Sequence, residues 1–174
     1  MASPDSMAPT PEELKAWVRA TYNAAAEHFD DPPLSFWEHF GTRTVEVAGI
    51  GPGHDVLDVC CGTGASALAA AERSGPGGRV VGVDFADELL ELARSKTELL
   101  GLTNLTFTSG DMTNLQLPSE AFDFVVCVFG IFFAPDMPSA LAGLWDKVKP
   151  GGALTITVWG RGSSNPATRF TGMP

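Results

Sequence analysis

Positive charge is scarce in this 174-residue chain: 11 Lys and Arg stand against 21 Asp and Glu, a formal net charge of −10. Such a surface repels phosphate backbones, which argues against nucleic acid as the main partner. Any anionic group of a ligand must then be held by local backbone dipoles rather than by an overall field. Cysteine is also sparse. Cys60, Cys61 and Cys127 show no zinc-type spacing, and their odd number does not suit a disulfide framework. They read as buried free thiols in a reducing compartment, so no metal and a cytoplasmic location are expected. No apolar run approaches ~18 residues, so no membrane span is expected. The opening residues, Met1 to Thr10, have neither the apolar core nor the arginine content of a targeting peptide. What the chain does have is apolar residues, 44% against 18% charged, enough to order one globular domain.

Residues 1–9 read as a flexible tail, and 10–54 as a helical cap. Thr10-Pro11-Glu12-Glu13 forms a capping box with proline at the first helical position. Leu14, Trp17, Val18 and Tyr22 follow at helical spacing, which predicts a helix to about His28. Asp30-Asp31-Pro32-Pro33 breaks it. Ser35-Phe36-Trp37-Glu38 predicts a second capping box and a second helix. From residue 55 the pattern changes. Apolar runs at 55–60, 79–84, 105–109, 123–129 and 153–159 alternate with helical segments near 65–74, 87–100 and 137–147. Continuous apolar strands separated by helices predict an α/β fold with a parallel sheet covered on both faces, spanning 55–160. No internal repeat interrupts it, and 161–174 reads as a second flexible tail.

Function concentrates in Val56-Leu57-Asp58-Val59-Cys60-Cys61-Gly62-Thr63-Gly64. A short strand runs into a glycine turn and then a helix, so the backbone can approach a ligand closely and the helix start can meet an anionic group. Asp58, Asp84 and Asp111 fall at or just beyond the ends of three successive predicted strands, spaced 26 and 27 residues apart. Right-handed crossovers place all three along one sheet edge, where open α/β sheets bind ligands. An acid ending the second strand suits the hydroxyls of a ribose, and one a strand further suits an exocyclic amine such as adenine's. Each has a plain alternative: Asp58 as a cap on the turn, Asp84 as the anchor of the next helix, Asp111 in an Asx-turn.

These segments, with Val81-Gly82-Val83-Asp84-Phe85, Gly110-Asp111-Met112, Phe122-Asp123-Phe124-Val125, Phe129-Gly130 and Val148-Lys149-Pro150-Gly151-Gly152, carry a resemblance. From about Thr21 to Gly152 the chain resembles the class I S-adenosylmethionine-dependent methyltransferases, most of all the ubiquinone/menaquinone-biosynthesis type. The resemblance implies a Rossmann-like parallel sheet of order 3-2-1-4-5 behind two N-terminal helices, S-adenosyl-L-methionine as cofactor, and methyl transfer to a small, apolar molecule. It implies that Asp58 and the backbone of Cys60, Gly62, Thr63 and Gly64 hold the methionine portion. Asp84 takes the ribose, Phe85 packs on adenine, Asp111 accepts from the adenine amine beside Met112, and Phe129 faces the sulfonium side. Tyr22 to Asp30 is similar to a segment that closes over the cofactor, with Asn23 where an acid often follows the tyrosine.

No residue is assigned to proton transfer, although His28 and His39 are the titratable groups to test first. Phe36, Trp37, Phe40, Phe132 and Phe133 are candidates for an apolar acceptor pocket or for ordinary packing of the cap. Family members normally continue past the fifth strand with a helix and an antiparallel strand pair. Here Arg161 to Pro174 is expected to supply neither, leaving strand five as an open edge for self-association. Two other readings stay open. Gly62-x-Gly64-x-x-Ala67 with Asp84 partly fits a nicotinamide-dependent dehydrogenase, and the chain also fits a cofactor-binding fragment without turnover.

Overall fold

The computed structural model describes residues 9–160 and the backbone of residues 167–170. α1 (Pro11–Ala25) starts on the expected capping box. The Glu13 N–H donates to Thr10 Oγ1 at 3.2 Å, and the Thr10 N–H donates to Glu13 Oε2 at 2.8 Å. Two 3₁₀ turns, Ala26–His28 and Pro32–Leu34, lead into α2 (Phe36–Ala48). The second capping box does not form. Ser35 sits at φ −58°, ψ −12°, and its side chain caps nothing. The turn begun by Pro32 closes on Ser35, so the backbone is already coiled where an N-cap has to be extended.

Five parallel strands follow: β1 (Asp55–Val59), β2 (Arg79–Asp84), β3 (Leu105–Ser109), β4 (Phe122–Val128) and β5 (Val148–Thr157). They stand in the expected order 3-2-1-4-5. α3 (Ala65–Ser74), α4 (Asp87–Leu99) and α5 (Met137–Trp145) lie in three of the connections. β5 starts earlier than its apolar run. Val148 pairs with Phe122, and the next pair is Ala153 with Phe124, so Lys149 to Gly152 bulge out between them. Gly152 must be glycine there, because a Cβ would stand 2.5 Å from the Asp123 carbonyl oxygen.

The end of the chain corrects one expectation. β6 (Ala167–Phe170) runs antiparallel to β5, pairing Leu154 with Phe170 through to Thr157 with Ala167. Strand five is therefore covered along those residues, and the open edge expected to drive self-association is occupied. The rest of the expected tails, residues 1–8, 161–166 and 171–174, lies outside the described residues.

Strand alternation divides the core. Leu57, Val59, Val125 and Cys127 pack with Ala140 and Leu144 of α5 on one face. Val56, Val80 and Val126 pack with Val45 and Ala48 of α2 and Ala67, Ala70 and Ala71 of α3 on the other. Each fully buried Val or Leu contributes about 1.5–3 kcal/mol. Among the described residues, no helix is long and apolar enough to cross a membrane.

α2 approaches the start of α3 closely at Gly41. A Cβ on Gly41 would lie 2.8 Å from the Ser66 nitrogen and 2.9 Å from the Ala65 carbonyl carbon, both backbone atoms of the first turn of α3. Gly41→Ala must push α2 away from that turn. A loss of about 1–3 kcal/mol is expected, read as a lower urea midpoint with unchanged slope. An unaltered midpoint would show that the approach is looser than described.

Candidate functional site

At the carboxyl edge of the sheet, a cavity of about 100 Å³ opens between the cap and the loops after β1, β2, β3 and β4. The register determines which acids reach it. Asp84 pairs with Ser109 at the last rung, whereas Asp58 pairs with Gly82, two residues short of that edge. Asp84 lines the cavity, as does Asp111 just beyond β3. Asp58 does not. It is fully buried beneath the glycine turn, where the Ser66 hydroxyl donates to its Oδ2 at 2.7 Å.

Asp84 ties the turn together. The Gly62 N–H donates to its Oδ2 at 2.9 Å and the Ala86 N–H to its Oδ1 at 3.0 Å. Burial raises its pKa despite these bonds. Burial also lifts Asp58 to about 7; the Ser66 bond opposes the rise and the nearby Asp84 charge adds to it. Asp111 differs. Burial works against its ionisation, but the Lys15 ammonium at 2.8 Å and the Thr113 amide and hydroxyl outweigh it and hold the carboxyl low. Among the described residues, Lys15 is the one cation lining the cavity, and it is committed to Asp111.

The cap is fastened over the cavity by polar ties at several points. The Arg19 Nε–H donates to the Phe85 carbonyl at 2.7 Å, and the Glu88 N–H donates to Asn23 Oδ1 at 3.2 Å. The Thr63 hydroxyl donates to Asp30 Oδ1 at 2.8 Å, and Lys96 pairs with the other Asp30 oxygen at 2.5 Å. Below these ties, Tyr22 packs against Phe29 and Phe133. Phe29 comes within 3.6 Å of where a Cβ on Gly62 would stand.

Among the described residues, two of the three non-glycine residues with positive φ, Cys60 (60°) and Phe129 (55°), line this cavity. Left-handed backbone at such residues costs of order 1–3 kcal/mol and collects at ligand sites. Gly62 and Gly64 hold φ of 54° and 88° without that cost.

Of the residues expected at the site, Tyr22, Cys60, Gly62, Thr63, Asp84, Phe85, Asp111, Met112 and Phe129 line the cavity, and Asp58 and Gly64 do not. Gly64 faces inward instead, where a Cβ would stand 3.1 Å from the Phe107 ring. Of the acceptor candidates, Trp37 and Phe133 line it, whereas Phe36, Phe40 and Phe132 stand behind or outside. His28 and His39 are both exposed and away from the cavity; His28 pairs with Asp31 at 3.1 Å. Sequence reasoning missed Lys15 and Leu14. Both lie one helical turn or more before Tyr22 on the inward face of α1, a spacing that could have pointed to them.

Gly62 puts no side chain of its own into the cavity, and Asp84 and Asp111 stand at or just past the ends of β2 and β3, so the chain's own residues fit an adenosyl ligand. A doubly wound sheet with such a turn and rim defines a Rossmann-like nucleoside-binding protein. The chain belongs to the methyltransferase domain family, which it matches over residues 56–152. It is similar to the demethylmenaquinone methyltransferase of Anoxybacillus flavithermus, with 32% identity over 141 residues covering 79% of this chain and 60% of that protein. Against the demethylmenaquinone methyltransferase of Listeria welshimeri the identity is 36% over 123 residues, 70% of this chain and 52% of that one. The chain thus spans between half and three fifths of these curated relatives. The crystal structure of an S-adenosylmethionine-dependent methyltransferase from Aquifex aeolicus shares the fold, with TM-score 0.66 and 24% identity, over 91% of this chain and 79% of that one.

Asp58 gives stability a defined pH dependence. The unfolded carboxyl loses its proton near 3.8, while the folded one keeps it to about 7. Its contribution is therefore whole below pH ~4 and is lost as pH rises to ~7. Asp58→Asn removes this loss, so its urea midpoint relative to the native protein should climb between pH 4 and 7 and then level off. A difference that is the same at every pH would contradict the burial assigned to Asp58.

Proposed function

We propose that this protein transfers a methyl group from S-adenosylmethionine to a small aromatic acceptor related to the demethylmenaquinone that its relatives' names specify. The observation that carries the reading is the meeting of Asp84, Asp111 and the Gly62–Thr63 turn around one cavity, in a sheet of the methyltransferase family. The relatives found do not favour the nicotinamide-dependent reading.

In this reading Asp84 accepts from ribose hydroxyls. Each of its oxygens takes one backbone N–H and keeps a further lone pair, which supports the role. Asp111, held ionised by Lys15 and Thr113, accepts from the adenine amine. Ala65 and Ser66 bring the free N–H groups at the start of α3 to the cavity wall, a setting for a carboxylate. When bound, S-adenosylmethionine supplies a methyl on a positively charged sulfur, which leaves as a neutral thioether. The protein then has to align the acceptor and keep water out, and holding reactants in line can contribute up to roughly 7–11 kcal/mol. Tyr22, Phe29, Trp37, Phe129 and Phe133 form the apolar wall that does both. Burial raises the Tyr22 pKa further above its ordinary value, with Asp84 and Cys60 adding to the effect, so its hydroxyl keeps its proton and can donate or accept a hydrogen bond there.

Calorimetric titration tests the cofactor. S-adenosylmethionine should bind and NADH should not. Asp84→Ala should weaken S-adenosylmethionine by about 10- to 100-fold, the worth of hydrogen bonds to a charged group. Transfer of labelled methyl to 1,4-naphthalenediol, the reduced ring system of menaquinone, tests the reaction. Preference for NADH would overturn the reading. Tight S-adenosylmethionine binding with no transfer to this diol or to a metabolite extract would favour the fragment without turnover.

A further inference from the structure

The cavity lining is polar where Asp84 and Asp111 stand and aromatic where Tyr22, Phe29, Trp37, Phe129 and Phe133 gather. Trp37 is packed among these rings. Its indole lies parallel to Phe29 at 5.5 Å and 4°, meets the edge of Phe129 at 5.6 Å and 67°, and packs on Phe36 at 4.2 Å. All these contacts act on the ring, and none needs the nitrogen.

That nitrogen stands out. The Trp37 Nε1–H is enclosed and has no hydrogen-bond partner among the described residues. An indole nitrogen can only donate, and a buried donor left unpaired carries an uncompensated desolvation cost. Native proteins keep few such groups, and each needs a reason. Asp58 Oδ1, Ser74 Oγ and Thr155 Oγ1 are also enclosed and unpaired, but none of those residues lines the cavity. Trp37 does.

We propose that the Trp37 Nε1–H donates a hydrogen bond to an oxygen of the methyl acceptor, and so sets the orientation of an oxygen-bearing aromatic ring at the aromatic part of the cavity lining. The inference rests on the methyltransferase reading above. An uncharged donor among rings suits a neutral hydroxyl or carbonyl oxygen on a flat molecule, which the same rings stack against. The cofactor's carboxylate has a different partner available in the start of α3. The N–H is enclosed in this arrangement, so a neighbouring side chain has to shift to admit the oxygen. Trp37 is thus a specificity-determining residue, with no role in moving protons.

Trp37→Phe tests this, since it keeps a stacking ring and removes the donor. The native protein and the variant are each loaded with S-adenosylhomocysteine and titrated with 1,4-naphthalenediol under anaerobic conditions, and with naphthalene, which has no oxygen. The variant should bind S-adenosylhomocysteine within twofold of the native protein. It should bind naphthalene equally well and 1,4-naphthalenediol about 5- to 10-fold more weakly. Equal loss for both aromatic probes would mean that Trp37 only packs. Weaker S-adenosylhomocysteine binding would mean that the donor serves the cofactor. An unchanged diol affinity, or no diol binding to a native protein that holds S-adenosylhomocysteine, would also overturn the inference while leaving the methyltransferase reading in place. A native protein that does not bind S-adenosylhomocysteine would instead defeat that reading.

Discussion

The Asp84 carboxylate is the joint on which the site depends. It ends β2, takes the Gly62 N–H from the turn after β1, and takes the Ala86 N–H at the entrance to α4. One side chain thereby fixes the relative positions of two loops that approach each other only because parallel strands deliver both to the same edge. Burial makes that carboxylate costly to ionise unless it is well bonded, so the turn and the acid hold each other in place. The cap is then fastened to the same loops, through Arg19 on the Phe85 carbonyl and Asp30 on Thr63.

Charge follows from this arrangement. Asp84 and Asp111 face a cavity whose lining cation Lys15 is already engaged, and Asp58 lies buried below. In such partly dry surroundings, a cation placed about 4 Å from one carboxylate gains roughly 4 kcal/mol, against about 1 kcal/mol in bulk water. The net charge of −10 acts in the same direction at longer range. A sulfonium compound suits this field, whereas a doubly phosphorylated nucleotide does not.

Much of the fold could be read from local pattern. The apolar runs that became β1 to β4 differ from the observed strands by a residue at most. In β1 and β2, whose residues after the first are all buried, Val and Leu leave few alternatives, whereas the edge strand β3 is largely exposed and was bounded by its polar flanks. The Thr10–Glu13 cap was readable for the same reason: its partners are three residues apart. The misreadings come from contacts that spacing does not encode. The depth of Asp58 depends on its register against Gly82, the failure of Ser35 as a cap on the turn begun by Pro32, and the place of β6 on pairing with β5. Lys15 at Asp111 and the lone N–H of Trp37 likewise join residues far apart in the chain.

The glycine turn and the ends of β2 and β3 should bind one adenosyl ligand together. Amide NMR on the full chain, titrated with S-adenosylmethionine, measures this directly. Saturable shifts should appear together at Gly62, Thr63, Phe85, Asp111 and Met112, all with one dissociation constant. Shifts confined to the outer end of the sheet, or no saturable shift at the turn, would contradict it.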